Sequence, residues 1–157
     1  MQAYEDRPYR PCVGICLVNQ DGLIFAGKRI DNRAEAWQMP QGGIDEGETA
    51  EVACFREMAE EIGTNQAELI ASHPDWLDYD IPQILADKLW QGRFRGQTQK
   101  WMLLRYTGTD ADINIQTEEP EFESWQWMSP AKLVELAVPF KQEVYRALLD
   151  EFKDHLT

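Results

Sequence analysis

Between Gly42 and Thr64 the chain reads GGIDEGETAEVACFREMAEEIGT, and this stretch constrains everything around it. It opens on a double glycine, runs through a short acidic loop and becomes a helix that Gly63 stops. Glu57, Glu60 and Glu61 are spaced i, i+3 and i+4. At roughly 100° per residue their side chains fall within about 100° of one helix face. Like charges at that spacing repel and cost helix stability. A divalent cation reverses the sign, because hard ions such as Mg²⁺ bind carboxylate oxygens and cancel the repulsion. The pattern predicts a metal platform on one helix face. Val52, Phe55, Ala59 and Ile62 are the expected apolar stripe on the opposite side. A solvated acidic surface helix would explain the charge run, but not the double glycine, the embedded Arg56 or the Gly63 stop.

The spacing is more specific than a charge run. Gly42, five residues, Glu48, seven residues, then Arg56-Glu57-Met58-Ala59-Glu60-Glu61-Ile62-Gly63 reproduces the Nudix box, GX5EX7REUXEEXGU with U a bulky aliphatic residue. Every fixed position matches except the last, where Thr64 replaces the aliphatic and gives up some apolar burial. The chain resembles a Nudix hydrolase. That resemblance implies an α/β fold, an α/β/α sandwich with a mixed sheet between helices. It also makes residues 1–157 a single domain with its box at 42–64.

Composition agrees with one domain able to bury a real core, at 157 residues and 43% hydrophobic. No apolar run approaches membrane-spanning length, and MQAYEDRPYR lacks the apolar core of a secretory signal. Cys12, Cys16 and Cys54 are few and odd in number, which argues against a disulfide framework and for a reducing cytoplasm. The net charge is −13, and the acidity extends well beyond the box. Such a surface disfavours a long nucleic-acid footprint. It still allows a pocket that grips one charged terminus.

Along the chain, Val13 to Val18 reads as a buried strand, Asn19-Gln20-Asp21-Gly22 as a turn and Leu23 to Lys28 as the returning strand. Trp37 to Gln41 is a short extended piece feeding the glycines. Further strands are expected over Glu68 to Ser72, Trp76 to Ile81, Lys100 to Thr107 and Glu123 to Met128, with Pro82 to Gln97 as a mixed loop and Trp76 in the core. Ser129-Pro130 caps a short helix. Pro139 opens a last helix whose stripe is Val144, Leu148, Leu149 and Phe152.

Phosphoanhydride hydrolysis requires neutralised phosphates, an activated water and a stabilised leaving oxygen, and clustered Mg²⁺ ions serve all three. Glu57, Glu60 and Glu61 are the candidate ligands, for Mg²⁺ or for Mn²⁺ or another divalent ion in its place, with more than one ion bound. Glu48 is expected to pair with Arg56, tying loop to helix, with Gly42, Gly43 and Gly63 as structural supports. For the general base, Glu60 itself and a carboxylate from elsewhere stand open. Glu121 is the choice among the latter, ahead of Glu118 and Glu119.

YRPCVGI, WQMPQGGID, GQTQKWMLLRY, INIQTEEPEFESWQWM and VPFKQEVYRALLDEF together are similar to one Nudix branch. That branch holds bacterial RNA pyrophosphohydrolases and asymmetric dinucleoside-tetraphosphate hydrolases. The resemblance implies that Arg10, Arg29 and Lys141 contact phosphates, with Val138 and Phe140 beside a base and Lys100 as a weaker candidate. Tyr79 could stack on adenine, leaning toward a dinucleotide. The VPFK segment and WQMPQGG lean toward RNA ends. The expected activity is Mg²⁺-dependent conversion of a 5′-triphosphate RNA end to a monophosphate. Asymmetric cleavage of diadenosine tetraphosphate to ATP and AMP is the alternative, and a catalytically silent nucleotide-binding module is the competing class.

Overall fold

The computed structural model describes residues 2–30 and 36–156. Strand β1 (Tyr9–Val18) is almost wholly buried from Cys12 onward because both of its faces are covered. Val13, Ile15 and Leu17 point to one side, Cys16 and Val18 to the other. A turn over Asn19–Gly22 joins it to β2 (Ile24–Arg29), and the Asn19 side chain accepts from the Asp21 and Leu23 amides at 2.9 and 3.0 Å. The two strands pair only at Val18 and Ile24 and then diverge.

The gap between them is filled by the WQMPQGG segment. Within it, β3 (Trp37–Gln38) pairs with β2, and β4 (Gln41–Gly43) pairs with β1. Met39 is fully buried between these strands and the Pro40 carbonyl accepts from the Ile15 amide at 2.9 Å. The double glycine is thereby delivered from inside the sheet to the start of α1 (Ala50–Ile62).

Strand β7 (Gly96–Tyr106) runs parallel to β1 over its whole length, while β5 (Ala67–Ser72) and β6 (Leu77–Asp80) pair antiparallel with successive halves of β7. Strand β8 (Phe122–Met128) pairs antiparallel with β2 and completes a mixed sheet. Helix α1 covers one face through Ala53, Cys54, Met58 and Ile62 against Val13, Ile15, Leu17 and Leu104. The other face carries α3 (Pro130–Leu136) and α4 (Pro139–Phe152), whose Leu133, Val144, Tyr145, Leu148 and Phe152 pack on Cys16, Trp101 and Leu103. This is the helix–sheet–helix sandwich that the resemblance implied.

Four expectations need correction. The buried stripe of α1 is Ala53/Cys54, Met58 and Ile62, whereas Val52 is 58% exposed and Ala59 is exposed. The helix is rotated so that Glu61 also turns inward. Strand β7 begins at Gly96 rather than Lys100, because Gln97 and Gln99 are buried polar residues whose strand character an apolar pattern does not reveal. The segment from Pro82 contains the short α2 (Gln83–Ala86) and a turn at Leu89–Gly92. Trp76 lies in the turn before β6 and is 46% exposed, not core.

Candidate active site

Thr49 starts α1 by accepting the Val52 amide on its hydroxyl, and Gly63 ends it at φ 77°, donating to the Ala59 carbonyl. Between these caps, Arg56 ties the helix to the preceding loop. Its Nε and Nη2 donate to the two Glu48 carboxylate oxygens at 2.7 and 2.8 Å, and Nη2 also donates to the Gly43 carbonyl at 2.9 Å. The fork holds the Glu48 carboxyl down to about 2, with the Asp45 amide adding to the effect. At the box's last position, Thr64 is buried, and its hydroxyl accepts from the Gln66 amide and side chain at 3.2 Å, so the polar substitution is satisfied.

The glycines matter for what lies against them. A Cβ on Gly42 would collide with the Glu57 carboxylate, and one on Gly43 with the Arg10 guanidinium. The double glycine thus lets an acid from α1 and a base from β1 approach the same stretch of β4.

Around that end of β4 lies a cleft of about 540 Å³. Glu57 and Glu61 reach it from α1, Arg10 from β1, Arg29 from the end of β2 and Glu121 from the residue before β8. Lys141, Phe140 and Val138 line it from the start of α4. Arg29 Nη2 lies 3.5 Å from Glu121. Lys141 is only 6% exposed, and its Nζ donates to Gln38 Oε1 at 3.1 Å. Burial first, and then the charge of Arg29, lower this ammonium to about 7, with Glu61 opposing both.

The carboxylates carry the opposite stress. Burial, then repulsion by Glu57 and Glu121, holds the Glu61 carboxyl well above its usual range, and its Oε2 is buried without a hydrogen-bond partner. Burial also raises Glu57, against the pull of Arg56. A buried acceptor without a donor, beside a second raised carboxylate, is the donor set that a hard divalent cation fits.

Not every expected residue reaches the cleft. Glu60 is turned to Arg56 Nη1 at 3.2 Å, with its side chain 58% exposed. Among the described residues no three carboxylate, histidine or cysteine side chains are already gathered to hold a metal. The i,i+4 guanidinium draws Glu60 aside. Lys100 lies outside the cleft, its ammonium bonded to the His73 carbonyl at 2.6 Å. Glu118 and Glu119 are exposed and do not line it, whereas Glu121 does. Tyr79 lines the cleft but is only 7% exposed; Phe140 stacks on it at 5.7 Å and its hydroxyl donates to Gln97. Little ring surface is left for a base.

The cleft is also lined by residues that neither the box spacing nor apolar periodicity singles out, among them Gln38, Gln41, Gln97 and Trp90. Gln97 and Gln99, both buried, form a network with the half-buried Gln41, Gln99 Nε2 donating at 2.8 Å to both Gln41 and Gln97. Their clustering in WQMPQ and GQTQ was the available signal.

The NUDIX domain model matches residues 8–148. An RNA pyrophosphohydrolase of Roseobacter denitrificans is 56% identical over 151 residues, covering 95% of this chain and 94% of the relative. Among solved structures, the E. coli dihydroneopterin triphosphate pyrophosphohydrolase superposes with a TM-score of 0.69 at 21% identity, over 92% of this chain and 99% of that one. A C. elegans Ap4A hydrolase gives a TM-score of 0.65 at 17% identity, over 95% and 99%. At those identities the two structures establish likeness of fold.

Proposed function

The chain belongs to the Nudix family of hydrolases, and from that premise we propose that it is an RNA 5′-pyrophosphohydrolase, converting 5′-triphosphate ends to monophosphates. The observation that carries the reading is a single cleft in which Glu57 and Glu61 face Arg10, Arg29 and Lys141. A polyphosphate is the ligand that needs both sets. Its oxygens match two guanidinium forks and an ammonium, and its charge matches a carboxylate-bound cation. Relatives above half identity carry the same activity in their names.

In this reading Glu57 and Glu61 would hold Mg²⁺, with Glu60 joining them by leaving Arg56. The ion supplies charge neutralisation and a more acidic water. Arg10, Arg29 and Lys141 orient the phosphate chain, and a substrate phosphate beside Lys141 favours its charged form. Glu121, within the cleft and steadied by Arg29, takes the proton as a water oxygen bonds to phosphorus and the bridging P–O bond breaks. Phe140 and Val138 present apolar surface for the adjacent base. We place the protein in the cytoplasm, where the three buried thiols Cys12, Cys16 and Cys54 stay reduced.

The test is a competition, with Mg²⁺, between a 5′-triphosphorylated RNA oligomer and diadenosine tetraphosphate, comparing kcat/KM and products. The expected result is a clear preference for RNA, with pyrophosphate or successive phosphates released. Preference for the dinucleotide, yielding ATP and AMP, would replace this reading with asymmetric tetraphosphate cleavage. No turnover of either would point to a silent binding module.

A further inference from the structure

Trp90 sits at the cleft in a backbone that its own side chain does not favour. Trp90 has φ 49° and ψ 36°, and Gln91 has φ 61° and ψ 27°. Gly92 follows at φ 70°. Among the described residues Trp90 and Gln91 are the two non-glycine residues with positive φ. Consecutive left-handed residues with side chains cost free energy, and such strain persists only where the surroundings over-determine it. Here the surroundings are visible. The Trp90 carbonyl accepts from both the amide and Nε of Arg93 at 3.2 Å, and Phe94 meets the indole edge-on at 5.8 Å. Arg93 in turn lies over Phe94 at 5.6 Å.

This bracing presents the indole to Arg10, whose Cζ lies 5.0 Å from the ring centroid. On another side Arg10 closes against Gly43, where no side chain fits. Its Nη1 also donates to Cys12 Sγ at 3.5 Å, its charge acts on Glu57, and among the described residues it makes no ion pair within 4 Å. A guanidinium held by an aromatic ring keeps its charge and leaves its in-plane N–H donors for another acceptor. A carboxylate partner would have consumed those donors.

We propose that Trp90 is a positioning residue for Arg10, holding the guanidinium so that its donors meet substrate phosphate oxygens. The proposal rests on the phosphate role given to Arg10 above. The strained turn is what brings the indole to this place, so the loop from Pro82 to Arg95 contributes to phosphate binding without touching the phosphates.

A double-mutant cycle on 5′-triphosphorylated RNA tests it. Arg10→Ala, Trp90→Ala and their combination are compared by KM and kcat. Trp90→Ala is expected to raise KM by about 2- to 30-fold, the range of a cation–π contact, with kcat changed less. In the Arg10→Ala background the same change is expected to add nothing. Trp90→Phe, which keeps a π face, is expected to restore most of the affinity. Trp90→Leu keeps apolar bulk without the π face and is expected to behave like Trp90→Ala. Penalties that multiply in the double variant would overturn the proposal and assign Trp90 its own substrate contact. Full rescue by leucine would overturn it in favour of plain packing. If Arg10→Ala alone left the kinetics unchanged, the phosphate role of Arg10 would fail, and the positioning role with it.

Discussion

Single residues in this cleft hold charge where solvent cannot relieve it. Glu61 is 7% exposed and has a carboxylate oxygen without a partner, so its ionised form is destabilised by burial and by its neighbours. Glu61→Gln removes that charge. We expect the variant to melt higher than the parent in chelator, to lose the rise in Tm that Mg²⁺ gives the parent, and to lose turnover by more than about 100-fold, beyond the usual cost of an outer-sphere partner. Turnover close to the parent's would remove Glu61 from the metal site. Glu48 shows the opposite case. Its folded-state carboxyl is depressed to about 2 from an ordinary 4.5, so its contribution to stability is present above about 4.5 and is lost as pH falls toward 2. Chemical denaturation of Glu48→Gln across pH 2–7 is expected to show lower stability at neutral pH and a flatter acid limb. An acid limb as steep as the parent's would mean the Arg56 fork does not govern that titration.

At the scale of elements, α1 is the part whose limits and contents act together. Its first turn is capped by Thr49, and its last by Gly63 in a left-handed conformation. At Gly63 a Cβ would also stand 2.7 Å from the Asn114 carbonyl. Gly63→Ala is therefore expected to cost about 1–3 kcal/mol. A domain of this size then loses roughly 2–4 °C of Tm per kcal/mol, readable by calorimetry. A variant melting with the parent would show that the turn relaxes without strain. The neighbouring element, the WQMPQGG segment, works differently. Its apolar and small residues are explained by the wedge it fills between β1 and β2, where Met39 and Pro40 are buried. Its glycines are explained by Glu57 and Arg10 packing against them. One short stretch thus serves both the sheet and the site.

At the scale of the whole molecule, a chain of net charge −13 places three basic side chains, Arg10, Arg29 and Lys141, in one cleft. RNA should therefore be held at its charged end and not along its length. The logarithm of affinity for a 5′-triphosphorylated oligomer is expected to fall against the logarithm of salt with a slope near −2, from about three neutralised phosphate charges at about −0.7 each. Adding nucleotides downstream is expected to leave the slope unchanged. A slope of twice that size, growing with RNA length, would reveal a longer footprint. The sequence by itself determined the helix that carries Glu57 and Glu61, the Glu48–Arg56 spacing and the buried apolar run of β1. All of these rest on local periodicity, capping and fixed spacing, which neighbours in sequence dictate. Only the tertiary structure decided that α1 turns Glu61 inward and leaves Val52 exposed, that Lys100 bonds a loop carbonyl outside the cleft, and that Gln97 and Gln99 are buried. It alone brought Trp90 to Arg10, across 80 positions of sequence. Those outcomes depend on how helix and strands meet, on partners far apart in the chain, and on hydrogen bonds that make buried polar groups tolerable where hydrophobic patterning is silent.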